Sequence, residues 1–206
     1  MHLNILDQKR IDILPLLKNF KDDGFYLAGG TGLALQLGHR DSIDFDFFKK
    51  GNYDTVHFIE KLQNVFSSHS LVITQEEKNT VSCVIDNSIQ LSFFGYQYDL
   101  VLPLLETEYL SIASILDIGC MKCSAVTSRS LEKDYVDLYF ILQNVSLVDL
   151  IEKTKIKLPL QDSALILKSL VYFDDVTKEE ILFKENHEIS FEEVKIFLQK
   201  VVRDYF

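Results

Sequence analysis

The sequence predicts a mixed α/β protein in two lobes: a sheet with flanking helices over residues 1–103, then a helical lobe over 104–206 that closes a cleft against it. Three observations carry this. Apolar residues recur at helical spacing in 5–20 and 54–67, whereas 42–48, 70–76, 79–86 and 88–95 read as strands. The two kinds of pattern alternate early, as they do where helices pack on a sheet. Beyond Pro103 and the acids Glu106 and Glu108 the pattern turns helical, with segments at 111–128, 131–144, 146–155, 161–173 and 189–205.

In chain order, the first helix is started or interrupted near Pro15, whose ring removes a backbone donor. Asp23-Gly24 is a turn signal, and Phe25–Ala28 reads as a short buried strand. Gly29-Gly30 breaks that strand, and Thr31 is placed to cap a helix running through LALQLG to Gly38. SIDFDFF, residues 42–48, alternates polar and apolar side chains as a strand does. No internal repeat or low-complexity tract interrupts the chain, and the short connection near residue 103 predicts two lobes of one unit.

Composition excludes several classes. With 47% hydrophobic and 25% charged residues among 206, the chain has ordinary globular material for a core. A net charge of −10 argues against a broadly basic surface wrapped around a polyanion, although a cleft's field depends on its own charges. No stretch reaches the ~20 apolar residues of a membrane span, and the N-terminus lacks a charged-then-apolar signal layout, so a cytoplasmic protein without membrane attachment is expected. The three cysteines, Cys83, Cys120 and Cys123, read as reduced, buried, hydrophobe-like thiols.

Two constellations carry chemistry. In FYLAGGTGLAL, a strand ends in Gly29-Gly30 and opens a helix, so backbone amides and the helix N-terminus face an approaching anion, with the Thr31 hydroxyl beside them. In Asp44-Phe45-Asp46, alternate strand residues share a face, which converges two carboxylates and sends Phe45 into the core; Ile43, Phe47 and Phe48 read as interior neighbours. Paired carboxylates repel unless a cation lies between them, and hard oxygen ligands suit Mg²⁺ or Mn²⁺ carried on substrate phosphates. Together the two motifs describe one cleft for a triphosphate and a metal.

The segment GGTGLALQLGHRDSIDFDFF resembles the signature of the nucleotidyltransferase superfamily, and within it the AbiEii/AbiGii toxin-like family. Arg40, Ser42, Asp44 and Asp46 fall on that family's Arg-x-Ser-x-Asp-Ile-Asp, with Phe45 in place of the commoner aliphatic residue. A second block, DIGCMKCSAVTSRSLEKDYVDLYFIL, is similar to the family's helical motifs, with Lys122, Arg129, Lys133, Asp134 and Asp137 on the matching positions. Lys122 and Arg129 lie two turns apart on one helix face, and Lys133 and Asp137 sit at a spacing that permits an ion pair. The resemblance covers roughly residues 25–145; the remainder carries no motif.

It implies a nucleotidyltransferase-fold sheet and metal-dependent transfer of a nucleoside monophosphate from a nucleoside triphosphate. Asp44, Asp46, Lys122 and Asp134 would be catalytic, with Asp44 and Asp46 holding the metal. Gly29, Gly30, Thr31, Arg40, Ser42, Lys133 and Asp137 would bind the nucleotide. The acceptor is an RNA, tRNA among them, or a protein hydroxyl, and the role is that of a toxin with a cognate antitoxin or a phage-defence factor. A third acid is expected on a later strand, where SIQLSFF offers Ser88, Gln90 and Ser92 instead; Asp86, Asp117 and Asp134 are the remaining candidates. That departure keeps a second reading open, a nucleotide- or partner-binding module of the same fold without catalysis.

Overall fold

The computed structural model describes residues 1–184 and 186–206. A short 3₁₀ turn precedes helix α1, Gln8–Asp22, which Asp7 caps by accepting from the Arg10 amide at 2.9 Å. Pro15 lies inside this helix on its exposed side rather than at a break, so only one helical hydrogen bond is forgone. Strand β1, Tyr26–Leu27, leads into α2, Gly29–Leu37, and then β2, Phe45–Lys50. Helix α3, Thr55–Val65, is followed by β3, Leu71–Glu77, β4, Thr80–Ile85, and β5, Ile89–Tyr96.

Two more short strands, β6, Leu105–Glu106, and β7, Ser111–Ile112, come from beyond residue 103, so the sheet continues past the change in sequence character. The helix predicted from Ser111 therefore starts later: α4 spans Ile115–Ser128, because Ile112 pairs with Leu27 in the sheet and Ser114 caps the helix. Helices α5, Glu132–Leu142, α6, Leu147–Lys157, α7, Ser163–Ser169, and α8, Phe191–Arg203, complete the chain.

Among the described residues the seven strands form one mixed sheet in the order β3-β4-β5-β2-β1-β7-β6. Its centre, β2, runs parallel to β5 and antiparallel to β1. Strand alternation gives the two faces different work. Phe45, Phe47, Leu91 and Phe93 are fully or almost fully buried on one face against α1 and α3, where Phe20 contacts the rings of Phe47, Phe58, Phe66 and Phe93. The other face carries Asp46 and Phe48 on β2 and Ser92 and Phe94 on β5, under α2 and α4. A separate apolar cluster joins α4 to α8. Cys83, Cys120 and Cys123 are free and buried. Among the described residues no helix is long and apolar enough to cross a membrane.

Candidate active site

Between the second sheet face and α4 lies a cleft of about 740 Å³. It collects Gly29, Gly30, Arg40, Ser42, Asp44, Asp46, Lys122 and Lys133 from the predicted site, with Arg129 and Gln90. Thr31, Asp134 and Asp137 stand behind its walls, at 1% exposure or less.

The glycines are explained by what surrounds them. Gly29 has φ +63, and a Cβ there would lie 2.6 Å from Asp46 Oδ2. A Cβ on Gly30 would lie 2.6 Å from Arg40 Nη2 and 3.1 Å from Ser42 Oγ. The turn is thus packed against the acid on one side and the guanidinium on the other. Helix α2 begins at Gly29, so Thr31 is not its cap. Instead Thr31 Oγ1 donates to the Asp44 carbonyl and lies 2.8 Å from Ser42 Oγ, which fixes the approach to β2.

Asp44 precedes β2 and is exposed; Asp46, on the strand, is mostly buried. Ile43 is not an interior neighbour: its side chain is 53% exposed, and its carbonyl accepts from Arg10 Nε at 2.7 Å. Buried Arg10 also donates to the Ser88 carbonyl at 2.7 Å, so it ties the loop before Asp44 to the start of β5. Burial, then the neighbouring Asp44 charge, push the Asp46 carboxyl up to about 6, against the pull of Lys122, Arg129 and Lys133. A cation between the two carboxylates would relieve that strain.

The cationic wall is a buried ion network. Lys122 Nζ is 2.7 Å from Asp134 Oδ1 and 2.5 Å from Asp137 Oδ2. Arg129 holds Asp134 from outside at 2.8 Å. Arg40 takes both oxygens of Asp137, at 2.8 and 2.9 Å, and His39 Nε2 lies 2.9 Å from Asp137 Oδ1. Burial alone would raise the Asp137 carboxyl, but Lys122, Arg40 and His39 hold it well below the usual range. Burial lowers His39, which as a neutral ring donates from Nε2 and leaves Nδ1 without a partner among the described residues. The spacing suggested a pair between Lys133 and Asp137; the structure gives Lys133 to Glu179 at 3.0 Å instead.

Glu179 comes from the long connection between α7 and α8, where the sequence offered no motif. This strap bridges to Arg40 through Phe183 and to Leu131 through Thr177, and Lys184 pairs with Asp41 at 2.5 Å. It carries Glu179 and Glu180 to the cleft rim.

The third acid is not found among its candidates. Asp86 sits in the β4–β5 turn, bonded to His69 at 2.7 Å and to the Ser70 amide. Asp117 is buried against the Val101 and Leu102 amides, Ser114 and Lys157. Asp134 is committed to Lys122 and Arg129. Beside Asp46 on β5 stands Ser92, and Gln90 reaches the cleft. Among the described residues no three carboxylate, imidazole or thiol groups converge as a metal site. Two carboxylates fit a Mg²⁺ ion whose other ligands arrive as phosphate oxygens and water.

A mixed sheet with an Asp-x-Asp centre strand, a glycine turn beside it and a helical wall of lysine and arginine define a protein of the nucleotidyltransferase fold. The family model described as nucleotidyl transferase AbiEii toxin, type IV TA system, matches residues 15–203, and the chain belongs to that family. An uncharacterized protein of Aquifex aeolicus is 36% identical over 191 residues, covering 88% of this chain and 87% of its own. Among solved structures, the fold is similar to MenT4, the nucleotidyltransferase toxin Rv2826c of Mycobacterium tuberculosis, with a TM-score of 0.63 at 13% identity over 93% of this chain and 80% of that one. JHP933 of Helicobacter pylori has a TM-score of 0.58 at 18% identity, over 96% of this chain and 92% of its own.

Proposed function

We propose that the cleft transfers a nucleoside monophosphate from a nucleoside triphosphate to a hydroxyl acceptor on RNA or protein, as the toxin of a type IV pair. The observation that carries this is the Asp44–Asp46 pair facing Lys122 and the Gly29–Gly30 turn across one cleft. Asp44 and Asp46 would hold Mg²⁺ or Mn²⁺, which when bound supplies charge neutralisation for the phosphates. The Gly29 and Gly30 backbone admits the triphosphate closely, and the α2 N-terminus favours its charge. Lys122, fixed by Asp134 and Asp137, presents a positive charge without needing to reorganise. An acceptor hydroxyl oxygen bonds to the α-phosphorus, its proton is released, and the bond to the bridging oxygen breaks as pyrophosphate leaves.

That no third carboxylate converges with Asp44 and Asp46 among the described residues favours one second reading, a nucleotide-binding module without transfer. Incubating the protein with labelled nucleoside triphosphate and separated RNA and protein fractions tests both. Label entering RNA assigns the acceptor to RNA, and label entering protein assigns it to a protein hydroxyl. Nucleotide binding with no label transferred to either fraction leaves the binding module. A cognate antitoxin is expected as a separate chain that suppresses the transfer.

A further inference from the structure

The cleft has two chemically different ends. Toward the turn lie the acids and the cations; toward the C-terminal ends of β2 and β5 lie aromatic rings. Phe48 follows Asp46 by one alternation on β2, and its register partner on β5 is Phe94, just as Ser92 partners Asp46. The aromatic row therefore sits about 7 Å further along the strands, two residues of rise. Tyr96 extends it on the same face and also lines the cleft.

These rings are not core residues that happen to be visible. Phe93, on the opposite face, is fully buried in the main cluster, whereas Phe94 and Tyr96 belong to none of the three apolar clusters and Phe48 only borders one. They are nonetheless held still. Phe48 lies 5.1 Å from Phe94 and 5.4 Å from Tyr96 between ring centroids, and Tyr26 stacks on it from β1 at 6.1 Å. Lys157 Nζ sits 5.5 Å from the Tyr96 ring centre while bonded to Asp117 and the Asp99 carbonyl. Met121 and Ala125 of α4, both part-exposed, line the same cleft opposite the sheet, so this end is a slot with apolar walls on both sides.

We propose that Phe48, Phe94 and Tyr96 form a stacking subsite for a nucleobase, one sugar's length from the phosphate end. The proposal rests on the reading that the acidic end takes a triphosphate. A planar ring entering the slot would exchange water for an aromatic floor and an aliphatic roof without ordering either wall, because the floor is already packed. The base is that of the donor nucleotide or the terminal base of an RNA acceptor; the chemistry is common to both.

Calorimetric titration of the full chain in Mg²⁺ decides it, with three probes: ATP, inorganic triphosphate, and a short single-stranded RNA ending in a 3′-hydroxyl. Phe94→Leu keeps an apolar side chain but removes the ring, and Phe94→Tyr keeps the ring. Phe94→Leu is expected to weaken ATP about tenfold or more, as loss of one stacking partner does, while inorganic triphosphate binds as to the parent and Phe94→Tyr stays close to it. Unchanged ATP with lost RNA binding assigns the same subsite to the acceptor's base. The proposal is overturned if Phe94→Leu alters neither ATP nor RNA, or weakens inorganic triphosphate as much as ATP. A parent that binds neither triphosphate overturns the reading of the acidic end, and the RNA titration then judges the platform alone.

Discussion

Arg40 grips Asp137 through both carboxylate oxygens, joining the loop that precedes Asp44 to helix α5. This brace, with 6% exposure at Arg40 and none at Asp137, makes the family's Arg and its last Asp a structural pair at the root of the cleft.

Asp137→Ala leaves Arg40 and Lys122 buried without their shared anion, which should cost about 3–5 kcal/mol of stability. Denaturant unfolding checks it, and a loss inside ordinary surface variation would mean that the network relaxes freely. The depressed Asp137 pKa also fixes a pH sign. Its stabilisation is fully present above the unfolded carboxylate value, about 4, and is lost as the pH falls through and below it. The stability difference between parent and Asp137→Asn should therefore shrink on acidification.

Asp46 has the opposite sign. Its carboxyl, pushed up to about 6, binds a proton more tightly in the folded than in the unfolded state. Stability from this group is thus complete below about pH 4 and is lost as the pH rises through 6. Without metal, Asp46→Asn should be more stable than the parent at pH 8 by on the order of 3 kcal/mol, the worth of a shift of this size. The advantage should vanish at pH 4. Thermal melts at the two pH values read it directly.

Lys122→Ala should lower the melting temperature as well as nucleotide binding. Lys122 is 6% exposed and its ammonium bridges Asp134 and Asp137, so its removal leaves two buried carboxylates facing each other, at about 3–5 kcal/mol. A melt identical to the parent's would contradict the bridging role. Sequence spacing alone had allowed a lysine free to face phosphate without structural duty.

Glu179→Gln should tighten nucleotide binding. Glu179 Oε1 neutralises Lys133 at the cleft rim, and Oε2 is buried without a hydrogen-bond partner among the described residues. Releasing a partly exposed pair of this kind is worth about 1 kcal/mol, a gain of about fivefold in affinity. Equilibrium binding of a labelled nucleotide measures it; weaker binding would make Glu179 a support for Lys133 instead of a competitor.

Local signals made most of the sheet legible. Strands β3 to β5 and helix α3 fall within a few residues of their predicted spans, because each has a clear period and a turn on either side. The two-residue strands β6 and β7 escaped, since β7 is recruited to the sheet by the distant β1 and β6 only by β7, and two residues leave no local pattern. At the site, motif spacing brought most of the named residues to one cleft. It could not separate those that line it from Thr31, Asp134 and Asp137, which lie behind it, because burial is a tertiary property. Arg10, His39 and Glu179 were missed for the same reason. Each acts through a partner far away in sequence, such as Arg10 on Ile43 and Ser88. Phe48 was read as an interior neighbour and Phe94 only as part of a strand, although their alternation with Asp46 and Ser92 already put them on the site's face.

The central claim, that Asp44 and Asp46 hold the metal for a bound triphosphate, is tested most directly by titrating Mg²⁺ into protein with labelled nucleoside triphosphate. Parent, Asp44→Asn and Asp46→Asn are compared, each first shown to melt cooperatively. The account predicts Mg²⁺-dependent binding for the parent and its loss, by tenfold or more on the order of a removed charged ligand, in both variants. Parent-like, Mg²⁺-dependent binding by either folded variant would contradict it.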